Sequence, residues 1–164
     1  MSEPSCDLEW QFCRFDEMTP HQVHSLLKLR QQIFIIEQEC IFPEIDGLDP
    51  SCLHLLAIDK GSNGREVLAA VRIVAPGVDP DHVEQGDRPA IGRVVTSARL
   101  RGQGIGREMM VRAIDICGQE FAGKPIYLNA QLYLKTFYQG LGFIQFGDEY
   151  EEDGIAHISM ERPA

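Results

Sequence analysis

The chain has few basic residues for its size, and this shortage limits the partners that it can bind. Among its 164 residues, 15 are lysine or arginine and 25 are aspartate or glutamate, which gives a formal net charge of −10. Proteins that bind nucleic acids or anionic membranes need the opposite balance, because basic side chains contact the phosphates. We therefore expect neither a nucleic acid nor a membrane as a partner.

The sequence also lacks long apolar runs and paired cysteines. No window approaches the ~20 apolar residues that span a bilayer. Residues 1–5 contain neither a basic nor an apolar segment, so we expect no signal peptide. The five cysteines are odd in number, widely scattered and include no Cys-x-x-Cys pair. This pattern favours a reducing cytoplasm over a disulfide scaffold or a zinc site, and we expect a cytoplasmic protein without a metal.

The remaining composition is that of an ordinary globular protein. Hydrophobic residues make up 44% of the chain and charged residues 24%, with no internal repeat and no low-complexity tract. The length suits one domain on the prior of ~100–200 residues per domain. We expect a single domain over residues 1–164, with its core at about 8–160.

Hydrophobic periodicity predicts strands that alternate with helices. The first helix begins at a Thr19-Pro20 cap. Two polar stretches, 39–52 and 76–89, are predicted to be long loops. This order favours an α/β fold whose mixed sheet is antiparallel in its first half, with a parallel crossover near the middle. Strands are predicted at 8–13, 53–58, 67–74, 90–97, 125–130, 143–146 and 155–160, and helices at 20–37, 105–117 and 132–141.

A glycine-rich turn follows the strand 90–97 and opens the next helix. Glycines at 102, 104 and 106 let the backbone approach a ligand closely and adopt positive φ angles. The first N–H groups of a helix have no internal partner, and the helix dipole favours an anion there. A phosphate or pyrophosphate is the natural ligand. The spacing matches neither a dinucleotide fingerprint nor a P-loop, so a tight turn without a ligand is the alternative.

Two motifs at this spacing resemble the GNAT family of acyl-CoA N-acyltransferases. The pattern Arg-x-x-Gly-x-Gly at 101–106, after a valine-rich strand, is similar to motif A of that family. The pattern Tyr-x-x-x-Gly-Phe at 138–143 is similar to a second family segment, and it stands one helix, one strand and one short helix downstream. The resemblance covers roughly residues 8–160. Further segments resemble the ElaA-like subfamily, at 30–38, 46–47, 91–94 and 150–157.

The resemblance implies a fold, a co-substrate and a reaction. The fold is a mixed central sheet with a splayed pair of parallel strands, flanked by helices. Backbone amides of the turn would hold the pyrophosphate of acetyl-CoA, and the preceding strand would pair with the pantetheine arm. The acetyl group would pass directly to a primary amine of a small molecule or peptide in a ternary complex. The residues implied to bind acetyl-CoA are Val94, Val95, Thr96, Arg101, Gly102, Gln103, Gly104, Ile105, Gly106 and Gln131.

The resemblance also implies that Tyr138 is the general acid. The departing CoA thiolate needs a proton or a hydrogen bond, and a phenol with a pKa of ~10 stays protonated at neutral pH. The alternative for this tyrosine is an aromatic residue that only packs against its helix. Gln131 stands where many members of the family carry an asparagine, seven residues before the tyrosine. Its contact with the ligand is therefore either made by its own amide or lost.

The general base, which takes a proton from the acceptor amine, has a weaker signature. We expect Glu37, at the end of the first helix, or His157, in the last strand, to take this role. The alternatives are a solvated carboxylate for Glu37 and a half-buried histidine without a catalytic role for His157. A chain of water molecules would need no dedicated base. The other candidates are Glu39, Glu44, Asp46 and His54.

The sequence leaves the acceptor and the class of function partly open. The acidic run 148–153 is either a solvated turn or a rim that attracts a cationic amine. A non-catalytic acyl-CoA sensor is an alternative to the enzyme. The segment 30–37 is also reminiscent of autoinducer synthases, although the chain lacks their length. A homodimer is compatible with this kind of fold, but no stripe of residues predicts one.

Overall fold

A seven-stranded mixed sheet carries the fold in the computed structural model, which describes residues 6–164. The spatial order is β1-β2-β3-β4-β5-β7-β6, and every neighbouring pair is antiparallel except β4–β5. The predicted α/β fold with one parallel pair near the middle of the sheet is confirmed. The strands are β1 (Leu8–Arg14), β2 (Leu53–Asp59), β3 (Val67–Val74), β4 (Ala90–Thr96), β5 (Ile126–Gln131), β6 (Ile144–Glu152) and β7 (Ile155–Arg162).

The parallel pair is splayed, as the resemblance implied. Strands β4 and β5 share a single register pair, Ala90 with Tyr127, and the N–H of Tyr127 donates to the Pro89 carbonyl at 2.9 Å. Beyond this point the two strands diverge. On its other side β4 is bulged, because its pairing with β3 shifts between Ala70 and Arg72. The divergence opens a cleft in the middle of the sheet.

The first helix begins where the sequence predicts and ends differently. Helix α1 (Pro20–Arg30) starts with a capping box, in which the Thr19 hydroxyl accepts the N–H of Gln22 and the Gln22 side chain accepts the N–H of Thr19. From Gln31–Glu37 the chain continues as a π-helix. Apolar spacing of 3.6 residues predicts one uninterrupted α-helix, so the wider turns were not foreseen.

The other two helices follow the cleft strands. Helix α2 (Ile105–Glu120) buries the predicted face, with Met109, Met110 and Cys117 fully covered. The predicted short helix at 132–141 is a 3₁₀ turn followed by a five-residue helix, α3 (Lys135–Gln139). Helix α2 packs in the core on one face of the sheet and α1 in a separate core on the other. Helices therefore flank the sheet on both sides.

The acidic run was predicted to be a turn outside the strands, and this prediction was wrong. Strand β6 continues to Glu152, so only residues 153–154 form the turn before β7. A bulge between Phe146 and Tyr150 interrupts the strand. Because β6 lies at the edge of the sheet, most of its side chains are exposed and the strand has no apolar alternation.

Within the described residues 6–164, no helix is long and apolar enough to cross a membrane. The expectation that no signal peptide is present concerns residues 1–5, which lie outside the described part of the chain.

Candidate active site

The cleft between β4 and β5 consists of two adjoining cavities of about 200 Å³ each. One cavity extends to Tyr138 on α3, and we call it the Tyr138 side. The other extends to Asp79 and His82 on the loop before β4, and we call it the His82 side. Residues common to both cavities mark their junction. They are Ile91, Gly92, Arg93, Leu128, Asn129, Glu152 and His157.

Tyr138 lines its cavity and is packed between two other aromatic rings. Its ring packs edge-on against Phe137 and Phe143, with ring centroids 5.1 and 6.0 Å away, and only 5% of the residue is exposed. Burial, assisted by nearby Tyr133, raises the pKa of Tyr138 to about 12. No protein group within residues 6–164 hydrogen-bonds its hydroxyl. The phenol therefore stays protonated at any physiological pH and is available to donate to a bound molecule.

His157 lies at the junction with one ring nitrogen available. Its Nδ1 is 2.8 Å from the carbonyl oxygen of Ile155, and because a carbonyl only accepts, Nδ1 carries the proton. In the neutral ring Nε2 is then an acceptor, 3.9 Å from the Glu152 carboxylate. The ring of Tyr150 stacks on the imidazole at 5.9 Å. This is the tautomer that a general base requires.

Glu37, the other predicted base, lies elsewhere. It is not among the residues that line the cleft, and its carboxylate accepts a hydrogen bond from Arg101 in the glycine turn. Both side chains are about half exposed, at 41% and 51%. The structure thus favours His157 over Glu37 by position, and a catalytic role for either stays a prediction.

The glycine turn leaves backbone N–H groups without helical partners and open space beside its glycines. Gly102 and Gly104 both have φ of +75°, and Gly104 caps α2 without any side-chain hydrogen bond. The first helical bond joins the N–H of Glu108 to the Gly104 carbonyl, so the three preceding N–H groups have no acceptor within the helix. A Cβ atom built on either glycine would meet nothing within 4 Å. The glycines are therefore needed for their backbone angles, and the space above the turn is free.

The remaining predicted CoA contacts divide into side chains that reach the cleft and residues that offer only backbone. Val94 and Gln131 line the Tyr138 side, and the Gln131 amide donates to Gln38 at 3.3 Å. Val95 buries its side chain in the core beneath α1, so only its backbone is available to a ligand. Thr96 lies beside the turn, with its hydroxyl 3.9 Å from the position that a Cβ on Gly106 would take.

A buried ion network beside the cleft was not predicted. Three carboxylates from the loop after the π-helix pair with three guanidinium groups from α1, β3 and β4. One signal was present in the sequence, because an arginine in an otherwise apolar strand such as Val67–Val74 requires a buried partner. The members of this network are Arg30, Glu44, Asp46, Asp49, Arg72 and Arg93.

This network explains why three of the alternative bases are poor ones. Glu44 and Asp46 are held by arginines, and His54 places Nε2 2.9 Å from the Asp49 carbonyl. Burial raises the pKa of Asp46, but hydrogen bonds from Arg72 and a backbone N–H outweigh it and lower the pKa to about 2. Burial lowers the pKa of His54. Each of these groups already has a protein hydrogen-bond partner, so its position favours a structural role, and a catalytic role for any of them stays a prediction.

A histidine–aspartate pair on the His82 side was also missed. The Nδ1 atom of His82 lies 2.6 Å from the Asp79 carboxylate, in a loop whose sequence shows no pattern beyond its polarity. Within residues 6–164, no group of three or more His, Cys, Asp or Glu side chains is arranged to hold a metal ion.

Comparison with known proteins places this chain among acyltransferases. The family model described as the Acetyltransferase (GNAT) domain matches residues 81–163. The protein ElaA of Escherichia coli is 38% identical over 157 residues, which span 94% of this chain and 96% of that protein. The crystal structure of E. coli ElaA superposes with a TM-score of 0.83 at 36% identity, covering 95% of this chain and 99% of that one. An acyl-CoA N-acyltransferase from Pseudomonas aeruginosa gives a TM-score of 0.82, also at 36% identity and with the same coverage.

More distant structures share the fold alone. The AHL synthase LasI has a TM-score of 0.75 at 15% identity over 95% of this chain and 89% of its own. This fold likeness agrees with the similarity of segment 30–37 to autoinducer synthases, and it carries nothing about their chemistry.

Proposed function

Because the chain belongs to the GNAT acetyltransferase family and is ElaA-like, we propose that it transfers an acetyl group from acetyl-CoA to a primary amine. Membership makes the chain an acyltransferase that uses an acyl-CoA as co-substrate. We propose beyond this that the acyl group is acetyl and that the acceptor is a primary amine of a small molecule or peptide. The route of transfer given below is also part of the proposal.

One observation carries this proposal. Tyr138, whose buried phenol is a proton donor, and His157, whose Nε2 is a proton acceptor when Nδ1 carries the proton, line the same cavity. Acyl transfer from a thioester to an amine needs both, because the ammonium must lose a proton and the departing thiolate must be stabilised.

Acetyl-CoA would enter along β4. The free N–H groups at the start of α2 would bind the pyrophosphate, where the helix dipole adds to the attraction. The pantetheine arm would extend from the turn along the splayed end of β4 and pair with its backbone as an added strand. The thioester then lies in the cleft, where the amide of Val94 or Val95 would donate to its carbonyl oxygen as negative charge develops.

The acceptor would approach from the junction. His157 Nε2 takes one proton from the ammonium, directly or through a water molecule, and the free amine attacks the thioester carbon. The C–N bond forms, the tetrahedral intermediate collapses, and the C–S bond breaks to release the CoA thiolate. The second proton of the former ammonium leaves the nitrogen in this step and passes to solvent or to the thiolate, so that a neutral amide remains. Tyr138 donates a hydrogen bond to that sulfur. Since its pKa is about 12 and that of a thiol is ~8.5, the phenol stabilises the thiolate without completing a proton transfer.

The test is release of CoA thiol from acetyl-CoA against a panel of amines and peptides, with Tyr138→Phe measured in parallel. We expect release with one amine class, a kcat lowered about 100-fold in the variant, and an unchanged acetyl-CoA affinity. Binding of acetyl-CoA without release for any acceptor would instead identify a non-catalytic acyl-CoA-binding module. A variant as active as the wild type at both neutral and alkaline pH would remove Tyr138 from the mechanism.

A further inference from the structure

The bulge of β4 contains a residue in an unusual backbone conformation. In the β3–β4 ladder Ala70 pairs with Val95 and Arg72 pairs with Gly92, so two residues of β4, Arg93 and Val94, oppose one residue of β3. Arg93 has φ of +50°. Bulges of this left-handed kind normally carry glycine, because a Cβ atom is disfavoured there. The surrounding structure must therefore hold Arg93 in this conformation.

The side chain of Arg93 is bound at several points. Its Nε donates to Glu44 Oε1 at 3.1 Å, and its Nη2 donates to the Glu44 carbonyl and to Asp46 Oδ2, each at 3.2 Å. The guanidinium also lies 4.9 Å above the ring of Phe42. All of these partners belong to one short piece of the loop, residues 42–46. The bulge is thus tied to the loop at four points through a single side chain.

The loop is itself anchored to two other elements. Asp49 accepts hydrogen bonds from Arg30 on α1 at 2.8 and 3.1 Å and from Arg72 on β3 at 3.2 Å. Arg72 also binds both oxygens of Asp46, at 2.8 and 2.7 Å. Arg30 further contacts Glu44. With three positive and three negative groups the network is neutral, and Arg30 and Arg72 are almost fully buried. Such a network favours one arrangement, because breaking a pair among its four buried members, Arg30, Glu44, Asp49 and Arg72, leaves a charge away from water.

We propose that Arg93 is a positioning residue for acyl transfer, whose clamped side chain holds the left-handed bulge of β4 in the shape that the cleft requires. The bulge leaves one residue of β4 outside the ladder with β3, and Gly92, Arg93 and Val94 all line the Tyr138 side. Backbone groups at this point are then free to face the thioester. This inference rests on the proposed function, since it assigns the bulge to the amide that polarises the thioester carbonyl.

The test compares three replacements of Arg93 that remove the same ionic contacts. Glycine adopts the left-handed backbone without a side chain, whereas alanine and glutamine keep a Cβ atom and lose the clamp. We expect Arg93→Gly to retain a kcat about tenfold higher than Arg93→Ala or Arg93→Gln in thiol release from acetyl-CoA. The KM for acetyl-CoA should stay within about twofold in all three, because the pyrophosphate turn is untouched. Where Arg93→Ala does not fold, the glutamine variant, which keeps more of the side-chain volume, carries the comparison.

Asn63 provides a matched control. It has φ of +60° in the exposed turn between β2 and β3, far from the cleft residues. Asn63→Ala should lower the thermal stability as a left-handed alanine does, and leave kcat within about twofold of wild type. A glycine variant of Arg93 no more active than the alanine and glutamine variants would overturn the proposal, and so would an equal loss of kcat in Asn63→Ala.

Crystal structures of the same variants separate this inference from the proposed function. If the wild type releases no thiol with any amine, the proposed function fails, yet the structures still decide what holds the bulge. We expect the wild type and Arg93→Gly to keep the β3–β4 register, and Arg93→Ala to leave the left-handed region. An alanine variant with an unchanged bulge would show that the side chain does not set it.

Discussion

Carboxylates on two walls of the cleft differ in burial and in pairing. The loop wall, residues 42–49 with the β4 bulge, holds Glu44 and Asp49 buried and paired with arginines. The hairpin wall, β6 and β7, holds Glu152 with 48% of its side chain exposed and 3.9 Å from His157. The difference shows that burial and pairing, not residue type, decide whether a carboxylate serves structure or is available to a substrate.

The largest difference between the walls is expected in stability. Asp49→Ala should lower the free energy of unfolding by about 3–5 kcal/mol, because it removes one carboxylate partner from each of two buried guanidinium groups and leaves the network with an uncompensated positive charge. Glu152→Ala, on the hairpin wall, should cost less than about 1 kcal/mol, since its carboxylate is half exposed. Urea denaturation measures both. Equal losses would mean that the two walls do not differ in this way.

On the hairpin wall we expect a larger effect on catalysis than on stability. His157→Ala should lower kcat about 100-fold, as the loss of a general base does, with little change in stability. His24→Ala, on the exposed face of α1, is the matched control and should leave kcat unchanged. Thiol release from acetyl-CoA with the amine found active measures both. A His157 variant with wild-type kcat would assign the base to another group or to water.

Acid should weaken the loop wall selectively. Because the pKa of Asp46 is lowered to about 2 in the folded chain, its ionised form stabilises the fold above the unfolded pKa of ~3.9. That contribution is lost as the pH falls from ~3.9 toward 2. Asp46→Asn should therefore be less stable than the wild type at pH 7, and the gap should close near pH 2. A gap that is independent of pH, measured by denaturation at several pH values, would contradict this linkage.

The smallest effect is expected from the exposed carboxylate at the junction. Glu152→Gln should raise the KM for a cationic amine about threefold at low salt, with kcat almost unchanged, because an exposed charge attracts the acceptor only weakly. The effect should disappear at about 0.5 M salt. A neutral acceptor of similar size is the control and should show no change. A salt-independent rise in KM would point to a direct contact instead.

Several features of the fold could be predicted from the sequence because they depend on residues that are neighbours in it. The Thr19 cap, the buried face of α2 and the glycine turn each rest on residues within a few positions of one another, and each is found where it was predicted. The extension of β6 was missed because an edge strand need not alternate apolar and polar residues.

The candidate site could be predicted from the sequence only in part. The motif containing Tyr138 placed that residue on the cleft, and the segment containing His157 placed the histidine at the junction. Glu37 was assigned as a base from its position at the end of a helix, but in the structure it pairs with Arg101. The pairing joins residues 64 positions apart, and no local pattern reports such a contact.

By itself, the sequence determined the order of strands and helices, the glycine turn and the membership of a family, because these depend on local spacing. Only the tertiary structure decided which charges are buried together. Arg93 and Glu44 are 49 positions apart, and their pairing depends on the sheet that brings β4 beside the loop. Periodicity records which face of an element is apolar, whereas the partner of a buried charge depends on how the elements pack.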